Sequence, residues 1–445
     1  MTLTLLTVRF PDQKTRRTCV YYLRQFARKK ALLFPTSLQG HRDLLQKRGL
    51  TKQYQSDKGK TYYPTTAGWN AFLQFSHILH LAEPFATHAT QNDTFQATLR
   101  GFANMLVDGL LPVELDDILE YLPQNFVSAV TARVERRFCK LQGINLSGSV
   151  SFAVGKCWIG NYETLNLDTT SDTEADFRKG VIDTLNGVFE RDSTFIAGSR
   201  VQGTAERVKD ETAFQWDLTL SIVCLFLNLS YKSAFQLLWQ VRILDKPESG
   251  FSKQHEFSLI EEGISKQQIS ISTQFLGQWF DLDGEKINVW HEHLGLNIFN
   301  QLILQEQYRD NKLVSKIVSA LLYFRQAANQ SSPEMQMSTL WVSVEVFFTV
   351  NNENITNANV DKLVHVTVQT LDSEHWPNKA ESVDELTKTF KKFYRFRSST
   401  LHHGKRGHVT VRDVQEFSQV VGAVILGAAF TVWEREGYGT ESPIQ

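Results

Sequence analysis

What this chain lacks narrows it first. Its four cysteines, Cys19, Cys139, Cys157 and Cys224, are scattered without a Cys-x-x-Cys pair, which argues against a zinc site or a disulfide framework and fits a reducing compartment. There is no Gly-x-x-x-x-Gly-Lys-Ser/Thr loop and no Gly-x-Ser-x-Gly elbow, so ATPase and hydrolase readings have no support. His41-Arg42-Asp43 mimics a kinase catalytic tripeptide, but no glycine-rich loop or Asp-Phe-Gly accompanies it. His291-Glu292-His293 has alternate spacing that a metal could use, yet no third ligand is in view, and a surface strand or turn is the expectation. Neither metal nor cofactor is expected. The apolar run at the N-terminus is too short for a signal peptide, and Val420 to Trp433, the most apolar stretch, falls short of the roughly 20 residues of a membrane span. A buried helix in a soluble, cytoplasmic protein with no membrane partner is expected there.

At 445 residues, 42% of them hydrophobic, the chain exceeds what one core serves, so two or three domains are expected. The net charge of −1 hides an asymmetry. Residues 1 to 60 contain 14 Lys and Arg against 3 Asp and Glu, and the remaining 385 residues contain 33 against 45. One end suits polyanions or an acidic partner.

Within that basic end, Val20, Leu23 and Phe26 share one face of an amphipathic basic helix spanning about residues 15 to 30. Thr36 and Ser37 can cap a second helix to Lys47, which Gly49 ends. Asp57-Lys58-Gly59 reads as the turn of a hairpin, and a helix from about Thr66 to Leu81 follows. Helix, helix ending in Leu45-Gln-Lys-Arg48-Gly-Leu50, basic hairpin and Pro64-Thr-Thr-Ala-Gly68 together resemble a winged-helix domain. The resemblance implies that residues 1–83 form a basic domain whose second helix, carrying Arg42, Lys47 and Arg48, enters a major groove while Lys58 and Lys60 on the wing reach phosphates. DNA, RNA or a regulatory protein are the partners it admits.

Residues 84–295 read as a helical connector followed by a mixed α and β region. Residues 84 to 145 look helical, with Leu110 to Leu122 the clearest amphipathic piece. From Gly148 the period changes to two, as Val150, Phe152 and Val154 alternate with small or polar residues. Gly198 to Gly203 and Gln268 to Phe280 look extended, and Ala205 to Leu227 is a long helical candidate between them. The fold class expected is α+β, mainly α.

The last part, residues 296–445, reads as a helical bundle. Leu386, Phe390, Phe393, Arg397 and Leu401 recur at helical spacing, so an arginine occupies a core position. A buried guanidinium is costly unless paired or used. Capping boxes at Ser382 and Thr410 open the Arg397 helix and the final helix, with Gly404 and Gly407 breaking the chain between them. His402 and His403 follow the arginine, and Lys405 and Arg406 come directly after. Arginine and histidine beside a basic turn are equipment for a phosphate.

Arg397-Ser398-x-x-Leu401-His402, preceded by Tyr394 and followed by a glycine, resembles the Arg-x4-6-His signature of HEPN domains. Two upstream segments, Val318 to Ala328 and Met337 to Phe348, are similar to the helices that precede this motif in the Apea-like branch of the family. The resemblance implies a homodimeric, metal-independent endoribonuclease, a toxin or antiphage effector, that cleaves RNA by attack of the 2′-hydroxyl and leaves a 2′,3′-cyclic phosphate. His402, with His403 as the alternative, would move the proton, Arg397 would neutralise phosphate charge, and Ser398 would orient the ring. The other reading is a DNA-binding regulator whose bundle only dimerises, with Arg397 paired to an interior carboxylate such as Glu345.

Overall fold

The computed structural model describes residues 6–33, 53–147, 150–161, 194–231, 233–243, 252–260, 263–272, 280–304, 311–347, 379–403 and 407–435, leaving aside the side chains of 252–272, 379–386 and 401–403. The protein is mainly helical with several sheets. It forms two compact units: 1–136 with 200–212 and 259–262, and 137–199 with 213–258 and 263–445. Neither expected boundary, after residue 83 or after 295, falls between these units.

The first unit opens with α1 (Gln13–Phe26), whose first turn is capped by Asp12 accepting from the Thr15 amide at 2.7 Å. Strands β1 (Leu32–Leu33), β2 (Tyr54–Gln55) and β3 (Thr61–Pro64) form an antiparallel sheet in the order β1-β3-β2. Gly59, at φ +75°, supplies the left-handed residue that the β2–β3 turn requires. There follow α2 (Thr66–His80), α3 (Phe85–His88), α4 (Gln91–Val107), α5 (Leu115–Glu120) and α6 (Gln124–Thr131). Helix α5 is shorter than the amphipathic pattern over 110 to 122 suggested, because Pro112 precedes it and the capping box starts at Glu114.

Aromatic packing makes this unit one body. Phe26, Tyr54, Phe72 and Phe102 are fully buried, with ring centroids 5.2 Å apart for Phe26 and Phe72, 4.8 Å for Phe26 and Phe102, and 5.0 Å for Tyr54 and Phe102. Offset and edge-on pairs of this kind contribute about 0.5–1.5 kcal/mol each beyond area burial. Since α4 supplies Phe102, the segment expected to be a connector is part of the core.

Strand β4 (Val134–Gln142) overturns the expectation that residues 84 to 145 are helical. Its alternation was disguised, because Glu135 and Arg137 occupy buried positions beside Cys139 and Leu141; the Glu135 carboxylate lies 2.8 Å from Arg133. Beyond it come β5 (Ile144–Leu146), β6 (Ser151–Val154), β7 (Cys157–Asn161), β8 (Thr194–Ala197), β9 (Val201–Gln202), α7 (Ala205–Ser230), β10 (Arg242–Ile243), β11 (Ser252–Ile260), β12 (Gly263–Ser272) and β13 (Phe280–Leu282). The main sheet runs β12-β11-β4-β8-β7-β6, and β13 pairs in parallel with β5.

Helices complete the second unit: α8 (Gly284–Glu292), α9 (Leu296–Leu304), α10 (Lys312–Ala328), α11 (Pro333–Glu345), α12 (Lys379–His403) and α13 (Val411–Arg435). Helix α12 begins before the expected Ser382 cap, whereas the Thr410–Asp413 box at α13 forms as the sequence suggests, with hydrogen bonds of 3.0 and 3.1 Å. His291 and Glu292 lie at the end of α8 rather than on a strand. Trp341 of α11 is fully buried against Phe390 and Tyr394 of α12 and Phe417 of α13, at 5.8, 5.8 and 5.2 Å.

Asn228, also fully buried, joins α7 to α13 by donating to the Ser418 carbonyl at 3.1 Å and accepting from the Ser418 hydroxyl at 3.2 Å. At Gly422 the two helices approach so closely that a Cβ would lie 3.2 Å from Leu225. Helices α7 and α13 are long and apolar enough to cross a membrane by length and composition alone, but most of each apolar window is buried inside the protein.

Candidate active site around Arg397

The apolar stripe of α12 positions Arg397. Phe390 and Phe393 are fully buried against the bundle, and the next residue on that face carries its guanidinium inward to the last residue of α11. There Arg397 Nη2 lies 2.9 Å from Glu345 Oε1 and donates to Oε2 at 3.2 Å. Only 18% of the arginine side chain and 13% of the glutamate side chain remain exposed. Burial raises the Glu345 carboxyl above its ordinary range, and the neighbouring guanidinium offsets part of that rise.

The pairing uses the arginine incompletely. The carboxylate is engaged by Nη2 alone, which donates to Oε2, while Oε1, 2.9 Å away, and the enclosed Nε make no hydrogen bond among the described residues. A forked Arg–carboxylate pair would engage two nitrogens. Arg397 is therefore held mainly by its charge, and an enclosed donor without a partner calls for an explanation.

Helix α12 continues without a break through His402 and His403. At 100° per residue, positions 397 and 402 lie about 140° apart around the helix axis, and position 398 stands one turn before 402. The side chains of His402 and His403 lie outside the described residues, as do Lys405 and Arg406. One residue that the sequence pattern did not single out belongs to this end of the helix. His408 has Nε2 3.3 Å from the Phe396 carbonyl and its ring 5.6 Å from that of Phe396. Since a carbonyl only accepts, Nε2 is the donor in this bond, and Nδ1 is buried without a partner among the described residues. The signal that could have found it is a third histidine after the arginine, outside the Arg-x4-6-His window.

Glu334 at the start of α11 accepts a 2.5 Å hydrogen bond from the Gly407 amide, which holds its carboxyl below the ordinary range. Lys392 bridges Asp413 at 2.9 Å and Glu416 at 3.2 Å, tying α12 to α13. A separate cavity of about 690 Å³, lined by Gln236, Trp239, Arg242, Asn329, Gln330 and Gln336, adjoins α11. Gln336 and Glu345 are nine residues apart, hence about 180° apart around the helix, so that cavity is not part of the Arg397 site.

Of the residues expected to contact nucleic acid, Arg42, Lys47 and Arg48 lie outside the described residues. Lys58 is engaged: its ammonium lies 3.1 Å from Asp108. Asp57 adjoins it and exchanges hydrogen bonds of 3.1 and 2.9 Å with Asn104, so the hairpin tip is tied down on α4. Lys60 is exposed. Among the described residues no cluster of three or more His, Cys, Asp and Glu could hold a metal. Compared with family models, curated proteins and solved structures, the chain matches none.

Proposed function

We propose that the chain is a metal-independent endoribonuclease of the HEPN type, acting as a homodimer in the cytoplasm and serving as a toxin or antiphage effector. The observation that carries this reading is Arg397: on the apolar face of α12 with 18% of its side chain exposed, held by Glu345, its Nε unpartnered among the described residues, five residues before a histidine. In the proposed step His402, or His403, takes the proton from a 2′-hydroxyl. The O2′–P bond then forms, the P–O5′ bond breaks and the leaving oxygen is protonated, while Arg397 balances the charge on the pentacoordinate phosphate. The 140° separation on one helix is the reason for proposing a dimer, in which two copies of the motif line one cleft.

The same ion pair also favours a second reading. An arginine already neutralised by Glu345 suits a silent dimerisation bundle attached to a winged-helix DNA-binding regulator. Expression in a bacterial host separates the two. The nuclease reading predicts growth arrest that Arg397→Ala or His402→Ala relieves; the regulator reading predicts a phenotype that survives both substitutions and disappears with Arg42→Ala, Lys47→Ala and Lys58→Ala.

A further inference from the structure

We propose that the solvent face of α1 binds the backbone of single-stranded RNA, with Tyr21 stacking on a base. The choice of RNA rests on the ribonuclease reading; the surface itself does not. Residues 14 to 30 contain seven basic side chains, Lys14, Arg16, Arg17, Arg24, Arg28, Lys29 and Lys30, and no acidic one. All seven are exposed. The opposite face of α1 buries Cys19, Leu23 and Phe26 in the aromatic core, which fixes the basic face outward.

Arg16, Arg17, Arg24 and Arg28 line a shallow groove of about 580 Å³ together with Val20 and Tyr21. Among the described residues none of these four has an ion pair, in contrast to Lys58 on the hairpin. Like charges gathered on one helix repel, and a bound polyanion relieves that repulsion.

Charge alone would fit any acidic partner, and Tyr21 makes the choice. It is 57% exposed in the middle of the arginines, held edge-on by Tyr22 with centroids 5.2 Å apart and planes at 73°. An aromatic platform flanked by cations matches the alternation of base and phosphate along a single strand. From Arg16 to Arg24 the helix rises about 12 Å, so the groove follows several consecutive phosphates rather than one.

The test is fluorescence anisotropy of the full chain with a labelled 2′-O-methyl oligouridine, which has no free 2′-hydroxyl to attack, over a range of salt concentrations. The variant with Arg16, Arg17, Arg24 and Arg28 all changed to Gln should bind on the order of 100-fold more weakly, and its slope of log K against log salt should shrink by nearly 3, at about 0.7 per phosphate contact. Tyr21→Ala, a single surface change that keeps the charge, should weaken binding roughly 5- to 100-fold without changing the slope. Changing Arg100 and Lys209 to Gln, a charge-altering control elsewhere, should leave both within about a factor of three.

Wild-type affinity and slope in the folded fourfold variant would overturn the proposal. So would a silent Tyr21→Ala together with displacement of the RNA by polyglutamate, which would assign the face to an acidic protein. If α1 variants lose the 2′-O-methyl strand but unmodified RNA is never cut, the surface stands and the ribonuclease reading falls.

Discussion

Two sets of arginines in this molecule face opposite ways. Those of α1 point to solvent and make no ion pair among the described residues, whereas Arg397 turns inward and meets Glu345. The difference teaches what each can be asked to do. Exposed guanidiniums provide long-range, salt-sensitive attraction but little geometry. A buried and tethered one provides geometry, at the cost of needing its tether.

The sharpest way to break this contrast is to remove the tether. Glu345→Ala or Arg397→Ala should each cost about 3–5 kcal/mol of stability in chemical denaturation, because the remaining charge is buried alone. Arg24→Ala should change stability by no more than about 0.5 kcal/mol. Joint replacement of the pair, Arg397→Met with Glu345→Leu, should be near neutral for folding while abolishing any activity that uses the guanidinium. Equal costs for Arg24→Ala and Arg397→Ala would mean the two settings do not differ.

Much of this was legible in the sequence, for identifiable reasons. Phe390, Phe393 and Arg397 share a helical face whose logic requires a partner for the arginine, and Glu345, interrupting the apolar run of α11, was the natural candidate. Thr410 and Asp413 announce their cap through side chains that act within four residues. What escaped depended on distant contacts. Strand β4 was hidden by Glu135 and Arg137 at buried positions, and the tying of Lys58 to Asp108 joins residues 50 apart in sequence. His408 acquires its place from a contact with Phe396, twelve residues earlier in the chain.

Acid should sharpen the comparison further. Burial opposes ionisation of Asp413, but bonds from Thr410 and Lys392 outweigh it and its carboxyl sits below the ordinary range. A depressed pKa contributes stability that is present above the unfolded value near 3.8 and lost as pH falls below it. Asp413→Ala, which removes both the cap and the link to Lys392, should cost about 1–2 kcal/mol at neutral pH, and its deficit relative to wild type should shrink in acid. Glu345 is shifted the other way. Its raised carboxyl means that wild type loses stability relative to Glu345→Gln as pH rises from about 4.5 toward neutrality; a wild type that instead gains on the variant over that range would show that the ion pair outweighs burial.

Smallest of all should be Lys58→Ala. Its ion pair with Asp108 leaves 68% and 40% of the two side chains exposed, so the loss should stay below about 1 kcal/mol and diminish in high salt.

The most direct test of the central claim, that Arg397 is held in place for use on a phosphate, is cleavage of a mixed tRNA and mRNA pool in EDTA with end-group analysis of the fragments. Wild type should leave 2′,3′-cyclic phosphates, and Arg397→Ala and His402→Ala should leave none. Wild type and both variants producing the same fragments, or none at all, would contradict it.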